Sequence, residues 1–106
     1  MAKYKKSIVY PNANRCVLAD RSCQGGLETH HILFGTDRKK ADKYNLTAPL
    51  CSWHHKYAPN APHVNGESAN LLKAYAQKAF EKHYPHLDWL RVFGRNYAWI
   101  LEDDDI

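Results

Sequence analysis

The chain has 106 residues, of which 44% are hydrophobic and 12% aromatic, so a single folded domain over residues 1–106 is predicted and global disorder is excluded. No apolar run approaches the roughly 18 residues of a membrane span, and the basic N-terminus lacks the apolar stretch of a signal peptide; we therefore expect a soluble cytoplasmic protein. The net charge is +4, but four acids lie at 102–105, so residues 1–101 carry fifteen basic and seven acidic groups. Such a basic body favours a polyanionic partner, with a merely solubilising charge as the equal alternative.

The first half of the chain predicts short strands separated by loops. A short edge strand is predicted at Ser7–Tyr10, before Pro11, and a loop over residues 16–26 that ends in two glycines. Leu27–Phe34 has the apolar and β-favouring content of a strand. Gly35–Asp42 is predicted as a polar, basic loop, and Asn45–Leu50 as a second strand, in which a proline indicates an edge or a strand end.

The second half predicts helices. Ser52–Tyr57 has the pattern of a first helical turn with Ser52 as the N-cap, and prolines then favour a loop as far as Gly66. Glu67–Tyr84 carries apolar residues at three- and four-residue spacing, which is typical of an amphipathic helix ended by the proline that follows. His86–Phe93 predicts a second helical segment, closed by a glycine, and an apolar segment at residues 96–101 ends the fold.

Potential metal ligands are concentrated in one part of the chain. All three cysteines and five of the seven histidines fall within residues 16–63. Because three is an odd number and no secretion signal is present, thiolate metal ligands are favoured over a disulfide framework. The eight residues are Cys16, Cys23, His30, His31, Cys51, His54, His55 and His63.

A structural zinc site is predicted from part of this set. Cys51 and His54 have the spacing of a tight half-site, and Cys16 and Cys23 would supply the other half to give a Cys3His tetrahedron. The alternative is that one or two of the cysteines are small buried apolar residues.

In each of the two pairs of adjacent histidines, the two residues are predicted to have different roles. His30 and His31 lie in a strand, where neighbouring side chains point to opposite faces. His54 and His55 would lie roughly 100° apart on a helix. In each pair, one residue can therefore bind a metal while its neighbour does something else, provided that the strand is bent or ends at the first pair.

The segments Glu28-Thr29-His30-His31-Ile32, Asn45-Leu46 and Pro49-Leu50-Cys51-Ser52-Trp53-His54-His55 resemble the motif of the HNH endonuclease family. The resemblance covers about residues 16–66 and is strongest to small phage-encoded HNH proteins. It implies an α+β fold, with a ββα-metal (His-Me finger) core and zinc-binding loops. C-terminal helices would follow at 67–101, and an acidic tail at 102–106.

The resemblance also implies roles for individual residues. His31 would be the general base that activates water, since imidazole titrates near neutrality, and Asn45 would orient that ring or brace the loop. His30 and His55 would hold a catalytic divalent cation (Mg2+, Mn2+, Ni2+ or Zn2+), with His63 as a third ligand whose spacing varies in the family.

The sequence departs from the family at the structural zinc site. Position 19 is an alanine where the family has the second cysteine of a Cys-x2-Cys pair, so Cys23 would have to substitute. His54 stands where the family has cysteine, which a Cys3His site tolerates.

The predicted function is hydrolysis of DNA phosphodiester bonds by an HNH-type endonuclease. Basic residues around the motif would contact phosphates, although a solvated charged loop is the simpler alternative. The predicted partner is DNA, without a membrane, inside a bacterial or phage-infected cell. A homodimer is left open as an alternative to a monomer. A non-catalytic, zinc-stabilised module that binds nucleic acid or protein is the alternative function. The basic residues are Arg38, Lys39, Lys40, Lys43 and Lys56.

Overall fold

Two short antiparallel strands form the sheet, in a computed structural model that describes residues 7–102. Strand β1 spans Leu27–His31 and strand β2 spans Thr47–Cys51. Their register places Leu27 opposite Cys51, so the first residue of β1 and the last residue of β2 lie together, next to the loop that precedes β1. The described chain combines this sheet with helices, which confirms the mixed α and β class predicted from the sequence.

The connection between the strands is helical, so the prediction of a loop from Gly35 to Asp42 is wrong. A 3-10 turn at Gly35–Asp37 leads into helix α1 at Arg38–Lys43. Ala41 is fully buried, so this short helix is held by packing on the core although its other side chains are polar.

Both strand boundaries differ from the prediction. β1 ends at His31 rather than Phe34. The N–H of Ile32 still donates to the carbonyl of Leu46, the residue opposite it in the register, at 3.3 Å, but Ile32 and Leu33 are buried in the core and the strand ends there. β2 begins two residues later than predicted because Asn45 has a φ of +59°, which lies outside the extended region.

The predicted edge strand Ser7–Tyr10 is absent from the described chain. The Ser7 hydroxyl accepts the N–H groups of Val9 and Tyr10 at 3.0 and 3.1 Å, which closes a turn instead. The Ile8 N–H donates to the Asn45 carbonyl at 3.1 Å. The basic residues before position 7 and the acidic residues after position 102 lie outside the described part of the chain.

The segment after β2 is a single π-helical turn at Trp53–Tyr57, where the sequence predicted the start of a helix. Ser52 occupies the N-cap position but makes no capping hydrogen bond. Its hydroxyl donates instead to Glu28 Oε2 at 3.0 Å. Single π turns are frequent at functional sites, and this one carries His54 and His55.

Helix α2 spans Gly66–His83, close to the predicted Glu67–Tyr84. The Asn65 side chain caps its N-terminus by accepting the N–H groups of the second and third following residues at 2.9 and 3.3 Å. The helix ends before Tyr84-Pro85, since the residue before a proline is disfavoured in the helical region.

Two short helices follow and pack on α2. Helix α3 spans Trp89–Phe93, shorter than the predicted His86–Phe93, because Asp88 caps it and Gly94 ends it with a φ of +79°. Helix α4 spans Trp99–Glu102.

The main core lies between α2, the end of β1 and the short C-terminal helices. Its largest side chains are almost completely buried. No helix in residues 7–102 is both long enough and apolar enough to span a bilayer. A smaller cluster formed by Cys16, Leu50 and Cys51 lies beside the sheet. The large side chains of the main core include Ile32, Leu46, Leu72, Phe80, Trp89 and Phe93.

Candidate metal centres

Three cysteines and a histidine converge on one point beside the sheet. The ligand atoms of Cys16, Cys23, Cys51 and His54 all lie within 4.8 Å of one another. Their sulfurs lie 3.6, 3.4 and 3.2 Å from the Nδ1 atom of His54, in that order. Tetrahedral zinc with ordinary Zn–S and Zn–N bonds separates each sulfur from the nitrogen by about 3.6 Å. The four side chains could therefore hold a metal ion such as zinc.

The outer partners of His54 fix which of its ring nitrogens faces the sulfurs. Its Nε2 atom lies 3.3 Å from Asp20 Oδ1 and 3.3 Å from the Ser22 hydroxyl. An Nε2–H group that donates there leaves the Nδ1 lone pair for a metal, as outer carboxylates commonly arrange for ligand histidines. The buried imidazole is thus oriented from both sides.

The environment of Cys51 favours the thiolate that a metal ligand requires. Burial raises the pKa of its thiol, but hydrogen bonds from the backbone of His54 and Gln24 and from the side chains of His54 and Cys23 outweigh burial and lower the pKa to about 6. Burial raises the pKa of Cys16. Bound zinc would offset that cost, because metal binding displaces the thiol proton.

Three histidines from three segments form a second cluster. His30 lies on β1, His55 on the π turn, and His63 on the loop before α2, and their ligand nitrogens lie within 4.8 Å of one another. The ring centroids are 4.9–5.3 Å apart, and each pair of rings meets edge to face. His30 and His55 are buried, whereas His63 is exposed, so the cluster opens to solvent on the His63 side.

His30 is a buried polar side chain without a partner. It is 1% exposed, and neither ring nitrogen has a hydrogen-bond partner in residues 7–102. An unsatisfied buried group costs about 1–3 kcal/mol, so such groups call for an explanation such as an ion. Coordination of a cation together with His55 and His63 would satisfy the ring.

The environment lowers the pKa of two rings of this cluster, His30 and His63, and thereby favours their neutral form. Burial, followed by the neighbouring His55 and His63, lowers the pKa of His30 to about 3. Loss of solvent also lowers the pKa of His63, with His55 and Lys56 as further causes. A neutral imidazole is the form that binds a metal.

Glu28 orients His55 from outside the cluster. Its Oε1 atom lies 2.7 Å from His55 Nδ1, and its Oε2 atom accepts the hydroxyl of Ser52 at 3.0 Å. Because Nδ1–H is used in that bond, Nε2 of His55 is left for a cation. These hydrogen bonds hold the pKa of the Glu28 carboxyl below its usual range.

His31, the neighbour of His30, has different surroundings. Its Nδ1 atom lies 2.8 Å from Asp42 Oδ1, and its Nε2 atom lies 3.1 Å from the Arg38 guanidinium. Arginine only donates hydrogen bonds, so Nε2 is the acceptor and Nδ1–H donates to the carboxylate. The ring is therefore held in the tautomer whose Nε2 lone pair can take a proton.

The sequence did not single out the three carboxylates that orient these histidines. Asp20, Glu28 and Asp42 each reach a histidine from another part of the chain, which no local pattern predicts. Asn45, which the sequence predicted as the residue that orients the base or braces the loop, makes backbone contacts that hold the turn after α1. Its N–H donates to the Asp42 carbonyl at 3.1 Å, and its carbonyl accepts from Ile8.

The five predicted phosphate-contacting residues are all exposed. Four of them lie on α1 and Lys56 lies on the π turn. Lys40 donates to the Val92 carbonyl at 3.0 Å, which ties α1 to α3, and Lys43 lies 5.7 Å from the ring centre of Tyr44. Arg38 covers Nε2 of His31, which puts one cation directly at the candidate base.

No known family, curated protein or solved structure matches this chain. Functional inference therefore rests on the residues and their geometry. The HNH resemblance stays a proposal that the two metal-ligand clusters have to support.

Proposed function

We propose that this protein is a metal-dependent endonuclease of the HNH type, which hydrolyses DNA phosphodiester bonds. In this proposal β1, β2 and the π turn correspond to a ββα-metal core. The observation that carries the proposal is that His30, His55 and His63 lie within metal-binding distance of one another and that the buried His30 ring has no hydrogen-bond partner in residues 7–102. His31, the next residue in the chain, is bound to a carboxylate.

The ligand chemistry of the tri-histidine cluster favours a transition metal. Imidazole nitrogen suits Zn2+ or Ni2+, whereas Mg2+ prefers oxygen ligands. The described cluster supplies three imidazoles and leaves its exposed side for water and substrate. A cation bound there would stabilise negative charge on the scissile phosphate and on the leaving oxygen.

His31 supplies the acid–base chemistry in this proposal. Its Nε2 atom accepts a proton from the attacking water, and Asp42 stabilises the imidazolium that forms and keeps the ring in place. Arg38, which lies on Nε2 in this structure, would turn toward the phosphate when DNA binds. The lone pair would then face the water.

The Cys3His cluster has a separate role in the proposal. It links the loop that precedes β1 to the end of β2 and to the π turn, and thereby holds His55 in position. Structural zinc sites contribute directly to folding energy in small domains.

A plasmid assay with a single substitution tests the proposal. Supercoiled DNA is incubated with the purified protein after loading with Zn2+, Ni2+, Mn2+ or Mg2+, with and without a chelator. We expect nicking that requires the metal, and a loss of about 100- to 10,000-fold in His31→Ala, the usual contribution of a general base.

The controls separate catalysis from folding. His31→Ala should keep the melting temperature, the metal content and the affinity for DNA, and His86→Ala, which removes an exposed histidine, should keep full activity. Full activity in His31→Ala would exclude its role as the base. Absence of nicking with every metal would favour the non-catalytic zinc-stabilised module.

A further inference from the structure

A cleft of about 360 Å³ opens beside the tri-histidine cluster. His63 belongs to both features, because its nitrogen lies in the cluster and its ring lines the cleft. Any molecule in the cleft would therefore lie next to the exposed side of the proposed cation site. The volume is within the range of small-ligand sites, which begins at about 300 Å³.

The walls of the cleft differ in chemistry. Phe34, Pro62 and Val64 give it an apolar side, and Phe34 is 44% exposed and Val64 57% exposed despite their apolar character. The ring of Phe34 stacks on that of His63, with centroids 6.0 Å apart and planes 25° from parallel. The apolar wall is thus continuous with the edge of the metal cluster.

The other side of the cleft is polar and positively charged. Asn70 and Lys73 lie on α2, and the Lys73 ammonium is 4.6 Å from the ring centre of Phe34. Burial lowers the pKa of Lys73, and the nearby Arg95 adds to that effect while Asp37 opposes it. A bound phosphate would compensate for the repulsion between the two cations.

We propose that this cleft binds the nucleoside next to the phosphate that is cut, with the base and sugar along the edge of Phe34 and on Val64, and a flanking phosphate at Lys73, which adjoins Phe34. The proposal rests on the proposed function and names the part of the substrate that lies beside the metal. A nucleotide combines a flat apolar ring with an anion, which is the combination that the two walls of the cleft fit.

Nucleotide binding tests the cleft without relying on cleavage. The 15N-labelled full chain, loaded with zinc, is titrated with deoxyadenosine or thymidine 5′-monophosphate, and separately with inorganic phosphate. We expect the amide signals of Val64, Asn70 and Lys73 to move with the nucleotides and to move much less with phosphate. Equal movement with phosphate alone, or no movement at these residues, would overturn the proposal.

Matched substitutions locate the binding. Phe34→Ala and Lys73→Ala should each weaken nucleotide binding by about tenfold, as loss of a base contact or of a phosphate contact commonly does. Tyr75→Ala and Lys78→Ala are the controls, because they remove an aromatic residue and a lysine that line a different groove of α2. Equal weakening in the two sets would exclude the cleft as the site.

Failure of this proposal is distinguishable from failure of the proposed function. If the protein binds nucleotides in the cleft but cuts no plasmid, the proposed subsite stands and the proposed nuclease activity fails. If Phe34→Ala and Lys73→Ala cut plasmid as well as the wild type does, the proposed nuclease activity stands and the proposed subsite fails.

Discussion

His31 differs from His30, the residue before it in β1, because a carboxylate holds its side chain. Asp42 accepts from Nδ1, while His30 next to it has no hydrogen-bond partner in the described chain. Adjacent residues of one strand therefore suit opposite tasks, proton transfer for one and metal coordination for the other. The carboxylate is what gives His31 a single tautomer.

Asp42→Asn tests that role. The substitution keeps the size of the side chain but removes the charge that stabilises a protonated ring, so kcat should fall by about 10-fold or more while the affinity for DNA stays the same. Steady-state cleavage of a labelled duplex gives kcat, and fluorescence anisotropy of the same duplex gives the affinity.

Asp37→Asn is the matched control for Asp42→Asn, since Asp37 lies one turn earlier and faces Lys40 at 3.9 Å. It should leave kcat unchanged. A fall in kcat of the same size in both variants would show that Asp42 acts only through the stability of α1.

The sequence predicted the ligands better than it predicted their supports. Cysteine and histidine spacing grouped the Cys3His set, because few residue types bind metals, whereas the tri-histidine set came from the resemblance to the HNH motif. The sequence predicts a loop that ends at Asp42, and a loop prediction does not specify where a side chain points. In the structure that segment is a helix with Ala41 packed in the core, a tertiary effect, and Asp42 on this helix reaches His31.

At the scale of elements, the π turn Trp53–Tyr57 is shared by both clusters. His54 faces the three cysteines and His55 faces the other histidines, although they are neighbours in sequence. The turn was predicted as the start of an ordinary helix. Its different hydrogen bonding is consistent with a segment whose shape is set by two sites rather than by helix propensity.

Sharing of the turn predicts unequal effects of removing ligands. His55→Ala should lose one metal per chain and keep the other, since the Cys3His cluster retains all four ligands. Cys51→Ser should lose the zinc of that cluster and, because the turn then loosens, should also weaken the tri-histidine site. Elemental analysis after gel filtration, starting from two metals in the wild type, measures both.

Two results would contradict this coupling. Loss of both metals in His55→Ala would mean that the sites are one unit. Loss of only one metal in Cys51→Ser, with the second bound at wild-type affinity, would mean that the turn keeps its shape without zinc. Cys51→Ser has to be compared with the wild type at the same free metal concentration, since apparent occupancy depends on it.

At the scale of the whole molecule, exposed basic residues lie on α1 and on the π turn, beside the candidate sites. The acids of residues 102–105 reduce the net charge of the chain to +4, although residues 1–101 carry +8. The exposed lysines of α1 and the π turn lie on the elements that carry Asp42 and His55. In the proposed function, these lysines would contact the phosphates of the DNA beside the candidate site.

The combined variant Lys39→Gln, Lys43→Gln and Lys56→Gln should weaken DNA binding and flatten its salt dependence. Each lost phosphate contact lowers the slope of log K against log salt by about 1, so a change of about 2–3 is expected. Fluorescence anisotropy of a labelled duplex at several salt concentrations measures the slope.

The control for the lysine variant replaces three other exposed cations, Lys78, Lys82 and Arg91, with glutamine. It changes the net charge equally but leaves the candidate site intact. The same slope change in the two variants would show that binding follows total charge and not this surface.

The joint use of one turn by two clusters also fixes the length of the chain there. Each residue added to or removed from a helical turn rotates everything after it by roughly 100°. Between Cys51 and His55 such a change would carry one histidine away from its partners whichever way the turn adjusted. Insertions and deletions are therefore not tolerable in the four steps from Cys51 to His55.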